Sequence, residues 1–379
     1  MNIFTEDIHE VQKLLIVFDS YFIKGFLYQN GKRVHSKKLS IPQEFFNPLF
    51  KRAEYVSDFI SSLSNDLYTY SNINENLDVE IYTSYGIFKK DFLKVANRVF
   101  ITDQEYFNNT ARDFAKKFNN ATCYVINVSR NSIFASSSEN QKLLSQEIEA
   151  PYDDIFKIKD ISDFALAQNK LKKSSVFNAL SKFPQTKKEY IALPIIALLL
   201  RNFIKNISLE NNGNTPIIVL TGDLYQFMAA PHQYQAILSL LYGVEVNGAA
   251  SLYIDDDNIF SLTSVSDTDD MLEHISHLVD IFTIGFDHGA SLKMTIPVKI
   301  VDDESIREVV IERENITNIP VFGRAHVTIK LPKNSFIGRK RDEVELVSRN
   351  NIVIDTRGSD KIDIVNIKKW VENLEPFSF

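Results

Sequence analysis

Glycine is scarce in this sequence. The chain has 12 glycines in 379 residues, which is about 3% against a usual ~7%. Loops that hold phosphate groups consume glycine, because its positive φ angles let backbone N–H groups approach the phosphate closely. The low glycine content therefore argues against a full set of phosphate-binding loops.

Other features are also missing from the sequence. Cys123 is the single cysteine, so no disulfide can form within the chain, and a reducing, cytoplasmic setting is expected. The longest apolar run, Ile191–Leu200, is interrupted by Pro194 and is shorter than the ~20 residues of a membrane-spanning helix. The N-terminal acidic residues Glu6 and Asp7 do not fit a secretory signal.

The charge balance excludes one class of partner. The chain has 49 acidic and 42 basic residues, a net charge of −7. A net negative charge supports solubility and argues against a general nucleic-acid surface. We therefore expect no nucleic-acid partner.

Two β-meanders are predicted from the hydrophobic pattern. Residues 13–41 read as three strands with a tight turn at Asn30-Gly31, and residues 123–149 repeat this layout. Helices are predicted within 42–70, where Val56, Phe59, Ile60 and Leu63 share a face, and at 105–118. The repeat predicts two lobes, each with a mixed five-stranded sheet.

The second half adds further predicted elements. Residues 160–207 are largely helical by pattern, strands are expected at 217–220 and 251–254, and helices at 233–241 and 271–282. Beyond Gly285, five short strands are expected at 292–301, 306–313, 324–331, 343–348 and 351–355, followed by a helix carrying Trp370. The predicted domains are a first lobe, 1–120, a second lobe, 121–285, and a small β domain, 286–379.

Three apolar strands each lead into a turn with polar residues. The segments are Asp19-Ser20-Tyr21-Phe22-Ile23-Lys24, Asn127-Val128-Ser129 and Thr221-Gly222-Asp223. Three such units at these separations resemble the actin-like ATPase superfamily, which includes actin, sugar kinases and Hsp70. The resemblance implies a two-lobed α/β fold of the ribonuclease H-like type. It also implies that the first two turns grip phosphates and that the third receives adenosine.

Within this superfamily, the later half is similar to the glutamate-mutase accessory proteins called MutL or GlmL. The residues that carry the similarity are Thr221-Gly222-Asp223, Ala229-Ala230-Pro231, the helix at 236–241, Ser251–Asp255, Ile259–Val265 and Val353-Ile354-Asp355-Thr356-Arg357-Gly358. The similarity covers about residues 215–370. It implies a protein that protects or reactivates a cobalamin enzyme using ATP.

The three turns depart from the superfamily pattern. No glycine lies between Asp19 and Lys24, so this segment reads either as a nucleotide contact or as an ordinary hairpin. Asn127 replaces the aspartate that would organise a magnesium ion, and Ser129 replaces a glycine. After Gly222, Asp223 places a negative charge where a nucleotide would pass. A vestigial nucleotide site is predicted, with no cofactor expected and weak binding of magnesium-ATP left open.

Two other clusters of charged or polar residues each have a functional and a structural interpretation. His274 and His277, with Asp270 and Asp280, would face one side of a helix and could bind a metal, but a solvated polar face is the preferred reading, so no metal site is predicted. The basic segment Arg339-Lys340-Arg341 reads as a loop between strands that could orient an acidic partner.

The sequence therefore favours a non-catalytic actin-like pseudo-ATPase that serves as a protein-binding or assembly scaffold. The alternative is an ATP-dependent chaperone or reactivating factor resembling the glutamate-mutase accessory protein. The partner is expected to be a protein, met through the C-terminal β domain, and self-assembly stays open. The lobes are expected to fold without residues 286–379.

Overall fold

The structure is a computed structural model. It describes residues 11–19, 22–29, 32–67, 73–119, 121–129, 132–138, 142–147, 208–209, 215–222, 225, 234–246, 248–255, 259–262, 275–291, 293–358 and 364–374. The chain forms two compact units. The first comprises Met1–Thr110 with Asp257–Ile275, and the second comprises Ala111–Asp256 with Ser276–Phe379. The predicted division into 1–120, 121–285 and 286–379 stays a prediction.

The first unit contains a five-stranded mixed sheet. Its strands are β1 Val11–Phe18, β2 Phe22–Gln29, β3 Lys32–Ser40, β4 Ile73–Thr83 and β5 Arg98–Ile101, in the order β3-β2-β1-β4-β5. The pairs β1–β2 and β2–β3 are antiparallel, whereas β1–β4 and β4–β5 are parallel. The predicted first meander is confirmed.

Three helices accompany this part of the chain. They are α1 Arg52–Leu67, α2 Lys89–Phe92 and α3 Gln104–Lys116, with 3₁₀ turns at Gln43–Phe46, Gly86–Phe88 and Ile259–Leu262. The predicted apolar face of α1 is confirmed, because Val56, Phe59 and Leu63 are buried in the core. A Cβ on Gly25 of β2 would lie 2.2 Å from Leu63 Cδ1, so the absence of a side chain there lets Leu63 of α1 pack directly on the sheet.

The second unit repeats this sheet and extends it. Its strands are β6 Cys123–Val128, β7 Ser132–Ser137, β8 Lys142–Glu147, β9 Ser208–Leu209, β10 Ile217–Thr221, β11 Glu245–Val246, β12 Gly248–Ile254, β13 Ser276–Thr283, β14 Gly285–Phe286, β15 Thr295–Val301, β16 Ile306–Glu312, β17 Ile316–Ile319, β18 Ala325–Lys330, β19 Ser335–Phe336, β20 Glu343–Ser348 and β21 Ile352–Asp355. Among the described residues of this unit, further helices are α4 Tyr234–Gly243 and α5 Ile364–Leu374.

The large sheet of this unit has the order β17-β21-β13-β12-β10-β6-β7-β8. Its part β8-β7-β6-β10-β12 has the same order as β3-β2-β1-β4-β5, with antiparallel β6–β7–β8 and parallel β6–β10–β12. A sheet topology that occurs twice in this way is the actin-like, ribonuclease H-like fold. The predicted five-strand limit is wrong for the second sheet, which has eight strands.

The predicted helix at 271–282 is wrong where the structure describes it. Residues Ser276–Thr283 form β13, which pairs with β12 on one side and β21 on the other. The five residues from 278 to 282 are all buried. A strand buried on both faces lacks the alternation of a half-buried strand, so its apolar run resembles that of a core helix.

The predicted five-stranded C-terminal β domain is correct for four strands. Strands β15, β16, β18 and β20 form an antiparallel sheet with the order β16-β15-β18-β20. The fifth, β21, belongs instead to the large sheet, because all four of its residues are buried and it pairs in parallel with β13. The predicted C-terminal helix is confirmed as α5, and Trp370 is buried.

The helical prediction for 160–207 lies outside the described residues. Among the helices that the structure describes, none has the length and apolar content needed to cross a bilayer.

Candidate functional site

The first predicted turn joins β1 and β2 in the first unit. The Asp19 N–H donates to the Phe22 carbonyl at 3.1 Å, and the Phe22 N–H donates to Asp19 Oδ1 at 2.8 Å. These two hydrogen bonds close the turn with only two residues between the partners. Asp19 is buried, and its carboxylate stabilises its own turn.

Lys24 lies within the same hairpin. It is placed in β2 opposite Val17 of β1 and Lys38 of β3, and its side chain is only 2% exposed. A buried ammonium group is costly unless it has a polar partner. The structure thus brings Asp19 and Lys24 together on one hairpin, with both side chains withdrawn from solvent.

The second and third turns meet in the second unit. Strands β6, β10 and β12 are parallel neighbours, so their carboxyl ends lie at one edge of the sheet. Asn127 of β6 is directly opposite Thr221 of β10, and Asp255 follows β12. Ligands of open α/β sheets bind outside the carboxyl ends of the strands. This edge is therefore the candidate site of the second unit.

Asn127 and Ser129 hydrogen-bond to each other. The Ser129 hydroxyl donates to Asn127 Oδ1 at 2.9 Å, and the Asn127 side chain is buried. The amide oxygen of Asn127 therefore accepts a hydrogen bond from a neighbouring hydroxyl group. An amide and a hydroxyl supply no net charge to a cation.

Gly222 packs directly on the second turn. Its φ angle is +115°, and a Cβ there would lie 2.5 Å from the Val128 carbonyl oxygen and 2.8 Å from the Val128 nitrogen. Only glycine allows this backbone conformation together with this approach. The structure thus unites three predicted site residues, Asn127, Ser129 and Gly222. Asp223 lies outside the described residues.

Two functional candidates were missed by the sequence reasoning. The Thr221 hydroxyl donates to Asp255 Oδ2 at 2.9 Å, and both residues are fully buried. Thr221 lies opposite Asn127 in the strand register. In the sequence, Asp255 ends the Ser251–Asp255 segment and is given no role in the site. Its position directly after a strand parallel to β10 was the available signal, because such residues gather at one sheet edge.

The predicted metal alternative is not supported for the histidine that the structure describes. His277 lies on β13 rather than on a helix, and its ring stacks on Tyr253 with 4.4 Å between centroids. His274 and Asp270 lie outside the described residues. In the part of the chain that the structure describes, no group of three metal-ligating side chains occurs.

His277 belongs to a hydrogen-bonded cluster around Asp280. Its Nε2 is 3.1 Å from Asp280 Oδ1, and Ser251 donates to the same oxygen at 2.6 Å, while Ser348 donates to Oδ2. Burial disfavours the Asp280 carboxylate, but these hydrogen bonds and the charge of His277 outweigh it and hold the pKa of Asp280 below its ordinary value. This cluster links β12, β13 and β20.

The basic segment Arg339-Lys340-Arg341 is exposed. Arg341 forms an ion pair with Asp287 and lies over the ring of Phe336, with 5.3 Å from its Cζ to the ring centroid. Its hydrogen bond to Asp287 raises the pKa of Arg341 above the ordinary value. One of the three cations predicted to orient an acidic partner is therefore engaged within the chain.

No protein-family model and no curated protein matches the chain. Solved structures do match. The ethanolamine utilization protein EutJ from Carboxydothermus hydrogenoformans has 12% identity and a TM-score of 0.34, over 62% of this chain and 84% of EutJ. The apo psk41 ParM protein has 14% identity and a TM-score of 0.35, over 67% and 94% of the two chains.

A third match is the PilM–PilN type IV pilus biogenesis complex, with 9% identity and a TM-score of 0.35, over 70% of this chain and 97% of the other. These proteins are members of the actin-like ATPase superfamily. The duplicated strand topology, rather than these low scores, identifies the fold.

Proposed function

We propose that this protein is a non-catalytic actin-like pseudo-ATPase that serves as a protein-binding or assembly scaffold. One observation supports this most directly. At the carboxyl end of β6, where the superfamily carries an aspartate and a glycine, the chain has a buried asparagine whose amide oxygen accepts a hydrogen bond from Ser129.

The chemistry of a magnesium-nucleotide explains why this matters. Magnesium favours carboxylate oxygens and the waters they organise, so an amide loses the main attraction. A side chain at residue 129 also hinders close approach of backbone N–H groups to a phosphate. One lost charged contact costs about 1.5–3 kcal/mol. Losses at separate contacts add, so two of them weaken binding by roughly 10²-fold or more.

The first prediction concerns magnesium-ATP. Titration of the full chain, followed by calorimetry and by thermal shift, is expected to show no saturable binding at micromolar concentrations and no hydrolysis above a buffer blank. A micromolar dissociation constant, or a turnover that Asp19→Ala abolishes, would contradict the proposal.

A restoring variant makes this test sharper. Asn127→Asp with Ser129→Gly returns the carboxylate and the glycine, and we expect it to bind magnesium-ATP more tightly than the natural chain. The matched control is Asn127→Asp with Ser129→Ala, which returns the charge but not the glycine. If both variants behave like the natural chain, the replaced turn is not what limits nucleotide binding.

The alternative is an ATP-dependent chaperone or reactivating factor. It is favoured by Asp19 and Lys24, which are both kept on the first hairpin. The similarity over 353–358 gives it less support, because this segment has an evident structural use. Arg357 Nε and Nη2 bind Asp355 at 2.9 and 2.7 Å, and Nη2 also donates to the Leu241 carbonyl at 2.7 Å. The titration above separates the two functions.

A further inference from the structure

The four-stranded C-terminal sheet presents a solvent-exposed face on its outermost strand, β16. The side chains of Ile306, Glu308, Val310 and Glu312 all point to that face and are exposed. Ile306 is 71% exposed and Val310 is 64% exposed. Two large aliphatic side chains on one edge strand are unusual, because exposed apolar edges invite pairing with other chains.

The backbone of β16 also has hydrogen-bonding groups that point away from β15. The Asp302 N–H donates to the Ser305 carbonyl at 3.0 Å, and the Arg313 N–H donates to the Met294 carbonyl at 3.3 Å. The β15–β16 register pairs Val301 with Ile306, so Asp302 and Ser305 are the next opposite pair and form a hydrogen-bonded pair. In an antiparallel ladder, hydrogen-bonded and non-hydrogen-bonded pairs alternate. The odd-numbered residues of β16 therefore bond to β15.

It follows that residues 306, 308, 310 and 312 direct their N–H and C=O groups away from β15. Within the part of the chain that the structure describes, no strand pairs with β16 on that side. Pro297 of β15 fits this register, because it stands opposite Val310 and has no N–H to donate. The same four residues thus provide both the outward backbone groups and the exposed side chains.

The existing partner strand shows which side chains suit this edge. On the exposed face, β15 places Val301 beside Ile306, Lys299 beside Glu308, Pro297 beside Val310 and Thr295 beside Glu312. A strand added to the opposite side of β16 would meet the same four side chains. Apolar residues beside Ile306 and Val310 and basic residues beside Glu308 and Glu312 would be favoured.

We propose that β16 is a docking edge for an extended segment of a partner protein. On the face of that segment that meets the β16 side chains, which is formed by every second residue, apolar and basic residues alternate. The segment adds antiparallel to β16, as every pair in this sheet does, and its backbone bonds to residues 306, 308, 310 and 312. The inference rests on the proposed scaffold function and names the chemistry of its partner.

The charges on β16 also disfavour a second copy of the same edge. Antiparallel self-pairing about Glu308 places that residue against itself, and pairing about Val310 places Glu308 against Glu312. Pairing about Val309 places each glutamate against an aliphatic residue. Like charges directly opposite one another are destabilising. None of these three registers places a basic residue opposite a glutamate, so the pattern favours a basic partner strand over self-association.

Binding of synthetic peptides to the full chain tests the proposal. The probe is the capped peptide Lys-Thr-Val-Thr-Lys-Thr-Val, and its control is Glu-Thr-Val-Thr-Glu-Thr-Val. Fluorescence anisotropy measures affinity, and amide hydrogen exchange locates the protected residues. We expect the basic peptide to bind at least about tenfold more tightly than the acidic one. Its binding should protect the amides of residues 306, 308, 310 and 312 from exchange.

Two variants separate the backbone from the charge. Val310→Pro removes an outward N–H without removing a β15 ladder bond, and we expect about tenfold or greater weakening. Glu308→Lys with Glu312→Lys is expected to reverse the preference towards the acidic peptide. Val347→Ser, on the far edge strand β20, is the matched control and should leave binding unchanged. Thermal unfolding verifies that each variant is folded.

Three results would overturn the proposal. They are the absence of binding by the basic peptide, equal binding of both peptides, and self-association of the natural chain that Val310→Pro abolishes. The magnesium-ATP titration is independent of these results. Binding of magnesium-ATP would refute the pseudo-ATPase function but would not contradict the docking edge. A chain that binds neither the basic peptide nor magnesium-ATP would refute the docking edge alone.

Discussion

At the scale of single residues, Gly222 shows most clearly how backbone geometry fixes the candidate site. Its positive φ and its close approach to Val128 hold the turn after β10 against the turn after β6. This packing keeps Thr221, Asn127 and Ser129 at one edge of the sheet. Any side chain at residue 222 would have to displace backbone, which cannot shift as a flexible side chain can.

We predict that Gly222→Ala destabilises the second unit more than a matched glycine substitution does. Gly289 also has a positive φ, +86°, but nothing lies within 4 Å of a Cβ placed there. Gly289→Ala should cost about 1–2 kcal/mol, for the left-handed backbone alone. Gly222→Ala adds steric overlap, for a total of about 2–5 kcal/mol. Urea unfolding of both variants provides the comparison, and equal losses would contradict this packing.

The Asp280 cluster predicts a pH dependence. Because the pKa of Asp280 is lower in the folded chain than in the unfolded chain, its carboxylate contributes stability above the unfolded pKa of about 3.9. That contribution is lost as pH falls through the folded pKa. We therefore expect the difference in unfolding free energy between the natural chain and Asp280→Asn to be larger above about pH 4 than below it.

Chemical unfolding at several pH values measures this difference. Ser251→Ala is the companion variant, because it removes one hydrogen bond to Asp280 and keeps the carboxylate. It should retain most of the pH dependence. A difference for Asp280→Asn that stays constant down to pH 3 would show that the carboxylate charge does not stabilise the fold.

At the scale of elements, hydrophobic periodicity predicted some segments and failed for others. Strand β3 and helix α1 each have one face that is more buried than the other, so their side-chain period identifies them. Strand β13 is buried on both faces, and its apolar run predicts a helix instead. Strand β21 belongs to the large sheet because it pairs in parallel with β13, which lies about 70 residues earlier in the sequence. A local sequence pattern cannot predict such a distant partner.

The C-terminal helix α5 offers a stability prediction. Trp370 is buried, its Nε1 lies 3.4 Å from the Glu314 carbonyl oxygen, and the Arg357 guanidinium lies 4.9 Å from its ring centroid. Trp370→Ala should destabilise the second unit by about 3–5 kcal/mol. The exposed neighbour Lys369→Ala should change stability by no more than about 0.5 kcal/mol. Thermal unfolding compares the two, and similar melting temperatures would mean that α5 is not held through Trp370.

At the scale of the whole molecule, the fold was more accessible to sequence reasoning than the candidate site. The repeated meander indicated a duplicated sheet, and the topology confirms it. The site residues Asn127, Ser129 and Gly222 were identified because each follows an apolar strand. The hydrogen bond between Thr221 and Asp255 could not be predicted in this way, because it joins side chains 34 residues apart in sequence on two parallel strands.

The strand pairing also argues against the expectation that the lobes fold without residues 286–379. A chain ending at Gly285 would lose β21 and β17, which continue the large sheet beyond β13, and would lose α5, which packs against β17 and α4. Strand β13, with the buried apolar residues Val279, Ile281 and Phe282, would then become an edge strand without its partner β21. We therefore predict that this truncation abolishes cooperative unfolding of the second unit.

Circular dichroism and limited proteolysis of the truncated chain test this, with a chain ending at residue 374 as the control. The control should retain a cooperative transition, because β21 and α5 are intact. If the chain ending at Gly285 unfolds as cooperatively as the control, the C-terminal strands are an appendage and their pairing with β13 contributes little. If it does not, the partner-binding role of β16 has to be tested by point substitution on the full chain, because the docking edge and the support of the large sheet are built from the same stretch of sequence.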